Sequence, residues 1–225
     1  MRIDLVRHGS CLDGAFLRGK SPAVLSPSGQ QQMQAVLSSL SCASNDTTPE
    51  LVVVSPAKRC LEPVESYYLK REKTTTVQVW SDFQERDFGV WDGLSYEEVN
   101  ALDFNGLQHY LENPFEYDIE QAESLQAFEC RIKIAFEQLL HQATEASLNH
   151  VLVVTHGGVM RVLLKQLLGL DNRALFQLEI GFAARMTLES FALDCVECDV
   201  VNGSGFPKGY FIKLVELVQN RLKVD

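Results

Sequence analysis

Two histidines and two arginines closely follow short apolar runs of the sequence, and these residue types together suit phosphoryl chemistry. Arg7 and His8 follow the first run, Arg59 lies just after the second, and His156 follows the third. A guanidinium stays charged and offers phosphate oxygens a planar fork of donors. A neutral imidazole can act as a nucleophile, dividing one hard displacement into two easier ones. The four side chains therefore predict a site for an anion, most simply a phosphoryl group.

Transfer through a phosphorylated histidine also needs an acid for the leaving oxygen and then a base for the attacking water. The candidates lie in residues 83–93, a segment that mixes acids with bulky aromatic residues and two glycines. Glu85, Asp87 and Asp92 all qualify by composition, and their spacing does not choose among them.

Three glycines next to these side chains favour close approach of an anion. Gly157 and Gly158 begin a predicted helix, where backbone N–H groups and the positive end of the helix dipole attract negative charge. Gly9 follows His8, and its missing side chain is expected to let the backbone approach a phosphate.

The three apolar runs predict the strands that carry this chemistry. Each is rich in Val, Ile and Leu and too short for a helix: Ile3–Val6, Leu51–Val54 and Val151–Val154. A helical pattern follows each run: Gln30–Leu40, Ala57–Leu69 and Val159–Leu168. This alternation predicts an α/β fold with a mainly parallel central sheet flanked by helices. Carboxyl ends of parallel strands share one edge, so the site residues are expected to converge there.

Residues 95–146 have a mostly helical pattern. Ser95 and Glu98 fit a capping box, and an apolar stripe along residues 125–139 predicts a long helix packed on the core. Neither a repeat nor a clear linker divides the chain, so one domain over residues 1–225 is expected.

Composition limits the classes of partner. The chain has 225 residues, 46% of them hydrophobic, and a formal net charge of −10, which suits a soluble globular protein. This charge disfavours nucleic acid and anionic membranes as partners, although a local phosphate pocket stays compatible with it. No apolar run is long enough to span a bilayer. Asp4 and Arg7 argue against a signal peptide, so a cytoplasmic location is expected, and the oligomeric state stays open.

Six cysteines do not suggest a disulfide framework in a chain of this length. Cys195 and Cys198 form one C-x-x-C pair, but a zinc site would need two further ligands at suitable spacing. Chance spacing is the main interpretation, with redox or metal use as the alternative. We expect no metal and no cofactor.

Four motifs resemble the histidine phosphatase superfamily, which includes the cofactor-dependent phosphoglycerate mutases. They occur in the family's order: Leu5–Gly9, Ser55–Arg59, Glu85–Gly93 and Val154–Gly158. The resemblance implies a phosphoglycerate mutase-like three-layer α/β/α sandwich and a metal-independent reaction through a phosphohistidine. It implies that His8 is the nucleophile, that Glu85 is the acid and then the base, and that Arg7, Arg59 and His156 complete the phosphate pocket.

Departures from the family bear on the substrate. Ser10 stands where relatives usually carry Glu, and residues 94–123 contain no Lys or Arg, unlike the basic segment of the mutases. We therefore expect a histidine acid-type phosphatase acting on a small phosphorylated metabolite. The motif details most resemble bacterial alpha-ribazole phosphatases of cobalamin synthesis, so alpha-ribazole 5′-phosphate is the narrower hypothesis.

Several alternatives stay open. These are a phosphoglycerate mutase, a sugar-bisphosphate phosphatase and, from another class, a non-catalytic protein that binds phosphorylated ligands. Arg18 is a candidate contact to the leaving group, with a solvated surface arginine as the competing interpretation.

Overall fold

A computed structural model describes residues 1–12, 17–41, 48–68, 75–193, 207 and 209–219. These residues contain six strands: β1 (Arg2–Arg7), β2 (Leu51–Val54), β3 (Thr76–Val79), β4 (His150–Thr155), β5 (Arg185–Ala192) and β6 (Tyr210–Val218). They contain six α-helices: α1 (Pro27–Leu40), α2 (Lys58–Tyr68), α3 (Tyr96–Leu102), α4 (Phe104–Glu112), α5 (Leu125–Glu145) and α6 (Gly157–Leu167). The mixed α/β class is confirmed. The domain boundaries stay a prediction, and Cys195 and Cys198 lie outside the described residues.

The strands form one sheet in the order β3-β2-β4-β1-β5-β6. The first four strands in this order are parallel, whereas β5 pairs antiparallel with β1, and β6 pairs antiparallel with β5. The three predicted strands are therefore neighbours at the centre of the sheet, and the mainly parallel arrangement is confirmed. The antiparallel pair at one edge comes from the sequence after residue 169, where the pattern suggests closing strands but gives no bounds for them.

The central strands are buried on both faces, which explains their continuous apolar sequence. Ile3, Val151 and Val153 pack into the core that contains α5 and α6. Leu152 and Val154 point to the other face and pack with α1 and α2. Helices thus cover both sides of the sheet, and the predicted three layers are present.

Local signals begin and end the helices as the sequence indicates. Ser95 and Glu98 form the capping box of α3, each side chain accepting from the other residue's backbone N–H. Gly169 follows the last turn of α6 with φ 61°, a conformation that favours glycine after a helix. None of the described helices has the length and apolar character needed to cross a membrane.

Candidate active site

Strand register brings the two histidines together. Arg7 pairs with Thr155 across the parallel strands β1 and β4, so His8 and His156 are the next residue on each strand. The His8 N–H donates to the carbonyl of Thr155 at 3.0 Å. The two imidazole rings meet edge to face with 5.3 Å between their centroids. The predicted convergence at the carboxyl edge of the sheet is present in the structure.

The His8 ring is held by its own loop. Nδ1 donates to the Gly9 carbonyl at 2.8 Å, and because a carbonyl only accepts, Nε2 keeps the lone pair. His8 is 3% exposed. Burial, and then the positive charges of Arg7 and Arg59, place the pKa of His8 well below its ordinary value. The imidazole is therefore neutral at pH 7, which is the state that a nucleophile needs.

His156 begins α6 and is fully buried. Its Nε2 lies 2.8 Å from the hydroxyl of Ser55, the residue that follows β2. The Cys60 Sγ lies 3.7 Å from the same nitrogen. Burial, and then the charges of Arg59 and His8, lower the pKa of His156 well below its ordinary value. This second imidazole is therefore also neutral at pH 7, next to the first.

Arg7 is anchored by the chain segment before β5. Its Nη1 donates to the carbonyl of Ile180 at 2.5 Å, and its guanidinium carbon lies 4.1 Å from the centre of the Phe182 ring. Its Nε is buried and has no partner among the described residues. Burial and repulsion from Arg161 lower the pKa of Arg7 to about 10, so the group stays charged at neutral pH.

Arg59 lies next to both histidines but also supports a loop. It is 1% exposed, and its Nη2 donates to the carbonyls of Arg18 and Gly19 at 2.9 Å each. Its Nη1 donates to the Ser21 carbonyl at 3.3 Å, whereas its buried Nε has no partner in the described chain. Arg59 therefore connects the loop that carries Arg18 to helix α2 through its Nη1 and Nη2 groups.

The three acids of residues 83–93 have different environments. The Glu85 carboxylate accepts from the backbone N–H of Gly158 at 2.9 Å and from that of Arg86 at 3.0 Å. Asp87 pairs with Lys20 at 2.6 Å. Asp92 accepts from three successive backbone N–H groups, those of residues 19–21. Of the three, Glu85 is the one whose side chain lines the cavity beside His8.

That cavity has a volume of about 120 Å³. Arg7, His8, Arg18, Glu85 and Gly158 line it, so the predicted site residues other than Arg59 and His156 reach its wall. The remaining lining is aromatic, aliphatic and cationic: Leu17, Arg86, Phe88, Tyr110, Leu125, Phe128, Gly157, Arg161, Val162, Leu175 and Phe176.

Two glycines explain the close packing of this site. A Cβ on Gly158 would lie 2.2 Å from Oε1 of Glu85, so only glycine leaves room for the carboxylate. A Cβ on Gly9 would lie 2.3 Å from the carbonyl oxygen of Gly29 at the start of α1. The structure thus shows a packing reason for Gly9, the contact between this loop and α1, and the expectation that it makes room for a phosphate stays a prediction.

Sequence reasoning missed the residues that close the site. Arg86 adjoins Glu85 and Arg161 lies in α6, but neither was singled out, although both are cations next to a predicted motif. Leu175, Phe176 and Phe182 come from the stretch after residue 169, where no motif marks them.

A larger cavity of about 550 Å³ lies between α1 and α2. Among the described residues that line it, Glu62 is the one ionisable carboxylate, and histidine, lysine and arginine are absent. It therefore lacks the groups for phosphoryl chemistry. In the described part of the chain, no group of three or more His, Cys, Asp or Glu side chains is arranged to hold a metal ion.

The fold and the site together define a class of α/β enzyme that handles phosphoryl groups at the carboxyl edge of its sheet. Residues 3–202 match the family model of the histidine phosphatase superfamily, branch 1. The chain belongs to this superfamily and is a phosphatase, a phosphoric monoester hydrolase.

The relatives include cobalamin-related phosphatases. The adenosylcobalamin/alpha-ribazole phosphatase of Escherichia coli K12 is 26% identical over 185 residues, covering 80% of this chain and 85% of the relative. The alpha-ribazole phosphatase structure from Shigella flexneri aligns with a TM-score of 0.72 and 19% identity, covering 96% of each chain. A mycobacterial glucosyl-3-phosphoglycerate phosphatase aligns with a TM-score of 0.75 and 21% identity, covering 97% of this chain and 98% of the other.

Proposed function

We propose that the protein hydrolyses phosphomonoesters through a phosphohistidine on His8. In the first step the lone pair of His8 Nε2 forms a bond to phosphorus while the bond to the leaving oxygen breaks. Glu85 gives its proton to that oxygen, so the product leaves as an alcohol. Arg7 and Arg59 neutralise the charge on the phosphoryl oxygens, and His156 completes the pocket.

The second step releases phosphate to water. Glu85, now a carboxylate, takes a proton from the water that attacks phosphorus. The bond between phosphorus and Nε2 breaks, and its electron pair returns to His8. The enzyme is then in its starting state, with Glu85 protonated, and the proposal requires no metal or cofactor.

The observation that supports this most strongly is the state of the His8 ring. Its Nδ1 proton is held by the Gly9 carbonyl, and its pKa is depressed by burial and by Arg7 and Arg59. A nucleophile is thus present in its neutral form beside cations that suit a phosphoryl group. Glu85 lines the same cavity, where a leaving oxygen would be placed.

The test is capture of the covalent intermediate. The protein is incubated with p-nitrophenyl phosphate, quenched in base and digested, and the peptide with His8 is examined for an acid-labile phosphate. His8→Ala should abolish both the phosphopeptide and turnover. His141→Ala is the matched control, because His141 is 70% exposed and contacts Glu145 on the helix surface. Near-normal turnover in His8→Ala would rule out the mechanism.

For the substrate, we propose alpha-ribazole 5′-phosphate. The names of the relatives from Escherichia coli and Shigella flexneri support this, and the motif details of residues 85–93 agree with it. The test compares kcat/KM for this compound with that for ribose 5-phosphate and fructose 1,6-bisphosphate. We expect a preference of at least about tenfold, equal to about 1.4 kcal/mol of transition-state binding. A smaller preference contradicts the assignment without affecting the mechanism.

The environment of the working enzyme stays a prediction. We propose a cytoplasmic protein that binds neither nucleic acid nor membranes, since its net charge of −10 opposes polyanionic partners. A gel-shift assay with DNA and RNA at low salt checks the first part, and binding there would contradict it.

A further inference from the structure

The strand β6 forms one edge of the sheet, and its outer side has no strand partner in the described part of the chain. It is 9 residues long, Tyr210–Val218, whereas β3 at the opposite edge has 4. An edge strand presents a row of backbone N–H and C=O groups that can pair with another chain. Proteins often protect such an edge by keeping the strand short or by placing a proline in it, and β6 shows neither feature. This edge is therefore suited to binding a further strand.

The side chains along this edge are more apolar than contact with water alone requires. Val215 is 47% exposed, Leu217 is 37% exposed and Val218 is 40% exposed. On the neighbouring strand β5, the half-exposed ring of Phe191 lies 6.3 Å from that of Phe211. A group of exposed apolar side chains is typical of an interaction surface.

A bulge in β6 places two charged residues on the same face of the sheet. Val215 is the extra residue at which the register with β5 shifts. Lys213 pairs with Glu189 on β5, and Glu216 pairs with Thr187. Because residues 187 and 189 lie two apart on β5, they point to one face, and so do their partners on β6. Without the bulge, residues 213 and 216 would point to opposite faces.

This arrangement makes the outer edge of β6 complementary to itself. In an antiparallel pair of two copies, with the two-fold axis between residues 214 and 215, Lys213 of each copy faces Glu216 of the other. The same register pairs apolar residues: Ile212 with Leu217, and Phe211 with Val218. In all three pairs the two side chains share a face of the sheet, as their partners on β5 show. A shift of one residue would instead place Lys213 opposite an apolar residue, Val215 or Leu217.

The two charged groups are accessible to a second copy. The Lys213 Nζ lies 3.7 Å from the Glu189 carboxylate, and the two side chains are 61% and 43% exposed. The Glu216 carboxylate contacts Arg185 within the chain and is 50% exposed. An ammonium has three donors and a carboxylate accepts several hydrogen bonds, so both groups keep capacity for a further partner.

We propose that β6 is the surface through which the protein self-associates. Two copies pair their β6 strands antiparallel about a two-fold axis, and the two six-stranded sheets become one continuous sheet. Backbone hydrogen bonds and the apolar pairs stabilise the dimer, whereas the Lys213–Glu216 pairs select the register. Because both copies use the same edge, the assembly closes at two copies and does not continue as a fibre. This inference is independent of the phosphatase mechanism.

The first test measures the mass of the full chain in solution. Sedimentation velocity, and light scattering after size exclusion, should show a dimer at micromolar protein concentration that dissociates on dilution. A monomer at every concentration would overturn the proposal.

The second test reverses the two charges separately. Lys213→Glu and Glu216→Lys each place like charges opposite one another at two points of the interface, so each variant should self-associate at least about tenfold more weakly. When the two variants are mixed, one copy contributes two carboxylates and the other two ammonium groups, so every facing pair is again opposite in charge. Native mass spectrometry should therefore show a one-to-one dimer of the two variants. Failure of the mixture to dimerise would refute the register.

The controls separate this interface from a general effect of charge or of folding. Glu97→Lys makes the same change at an exposed position of α3, outside the sheet, and should leave the dimer unchanged. Circular dichroism and thermal unfolding check the fold of each variant. If a single variant does not fold, the chain with both Lys213→Glu and Glu216→Lys still decides, because its facing charges are opposite and it should dimerise. A dimer that both single substitutions leave intact would place the interface elsewhere and overturn the proposal.

Discussion

Gly158→Ala should displace the proposed acid, Glu85, although residue 85 itself is unchanged. A Cβ at this position would lie 2.2 Å from Oε1 and 2.9 Å from Cδ of Glu85, so the carboxylate must move away. The movement disrupts the 2.9 Å hydrogen bond from the Gly158 N–H, which holds Glu85 at the cavity wall. The fold should survive, because alanine is favoured over glycine within a helix by up to about 1 kcal/mol.

The size of the effect depends on the leaving group. A positioned general acid contributes about 10²–10⁴-fold when the leaving oxygen needs its proton. We expect Gly158→Ala to lower kcat about 100-fold with an alkyl phosphate such as glycerol 3-phosphate, equal to about 2.7 kcal/mol. With p-nitrophenyl phosphate the loss should be under about tenfold, since p-nitrophenolate leaves without a proton. Glu85→Gln should show the same selectivity.

A double-mutant comparison identifies the route of the effect. In a Glu85→Ala background the carboxylate is gone and the new methyl group has space, so Gly158→Ala should add little to the loss. Steady-state kinetics with both substrates, and thermal unfolding of each variant, provide the measurement. The reasoning fails if Gly158→Ala is as slow with p-nitrophenyl phosphate as with the alkyl phosphate, or if the two losses multiply.

Three further predictions concern stability and reactivity. The pKa values of His8 and His156 are depressed in the folded protein. Below about pH 6.5 the unfolded chain therefore binds more protons than the folded protein does. The free energy of unfolding should therefore fall by roughly 2 kcal/mol between pH 6.5 and pH 5.5 in urea titrations, and by about half as much in His8→Asn. Asp92→Ala removes the acceptor for three N–H groups of residues 19–21, so it should destabilise the fold by about 1–3 kcal/mol and raise KM. Burial raises the pKa of Cys60 to about 12. Iodoacetamide at pH 8 should therefore label the exposed Cys130 of the folded protein and leave Cys60 unlabelled, as measured by mass spectrometry.

The central sheet could be predicted because its signals are local. Runs such as Leu51–Val54 are apolar throughout and too short for a helix, which is the pattern of a strand covered on both faces. Some helices carry recognisable caps, such as the capping box that Ser95 and Glu98 form at the start of α3. Because strands and helices alternate along the chain, the sheet is expected to be parallel, and the carboxyl ends of its strands then place His8 and His156 at one edge.

The walls of the cavity could not be predicted because their signals are long-range. Phe182 is an ordinary aromatic residue in the sequence, and only the pairing of β5 with β1 brings it to Arg7. The strand β6 lies at the sheet edge, and its buried and exposed residues alternate only weakly. Its sequence pattern is therefore less distinct than that of the central strands. Spacing likewise does not choose among Glu85, Asp87 and Asp92; the family resemblance selects Glu85, and of the three side chains Glu85 is the one that lines the cavity.

The way the arginines of the site are held explains how an acidic protein presents a cationic cavity. Arg7, Arg59, Arg86 and Arg161 each donate to backbone carbonyls: those of Ile180, of residues 18, 19 and 21, of Glu123 and of Leu178. A carbonyl fixes the direction of a guanidinium but brings no negative charge, so the cation stays available to an anionic substrate. Several cations outside the cavity are paired with carboxylates instead, as Arg131 is with Glu123.

This division gives the net charge of −10 a physical meaning. Among the described residues, Glu85 is the one carboxylate that lines the cavity, whereas four arginines line it. Replacing one of the carbonyl contacts by a carboxylate partner would hold the arginine equally well yet remove the charge that the substrate needs. Anion binding here thus depends on which acceptor holds each arginine more than on how many arginines the chain contains.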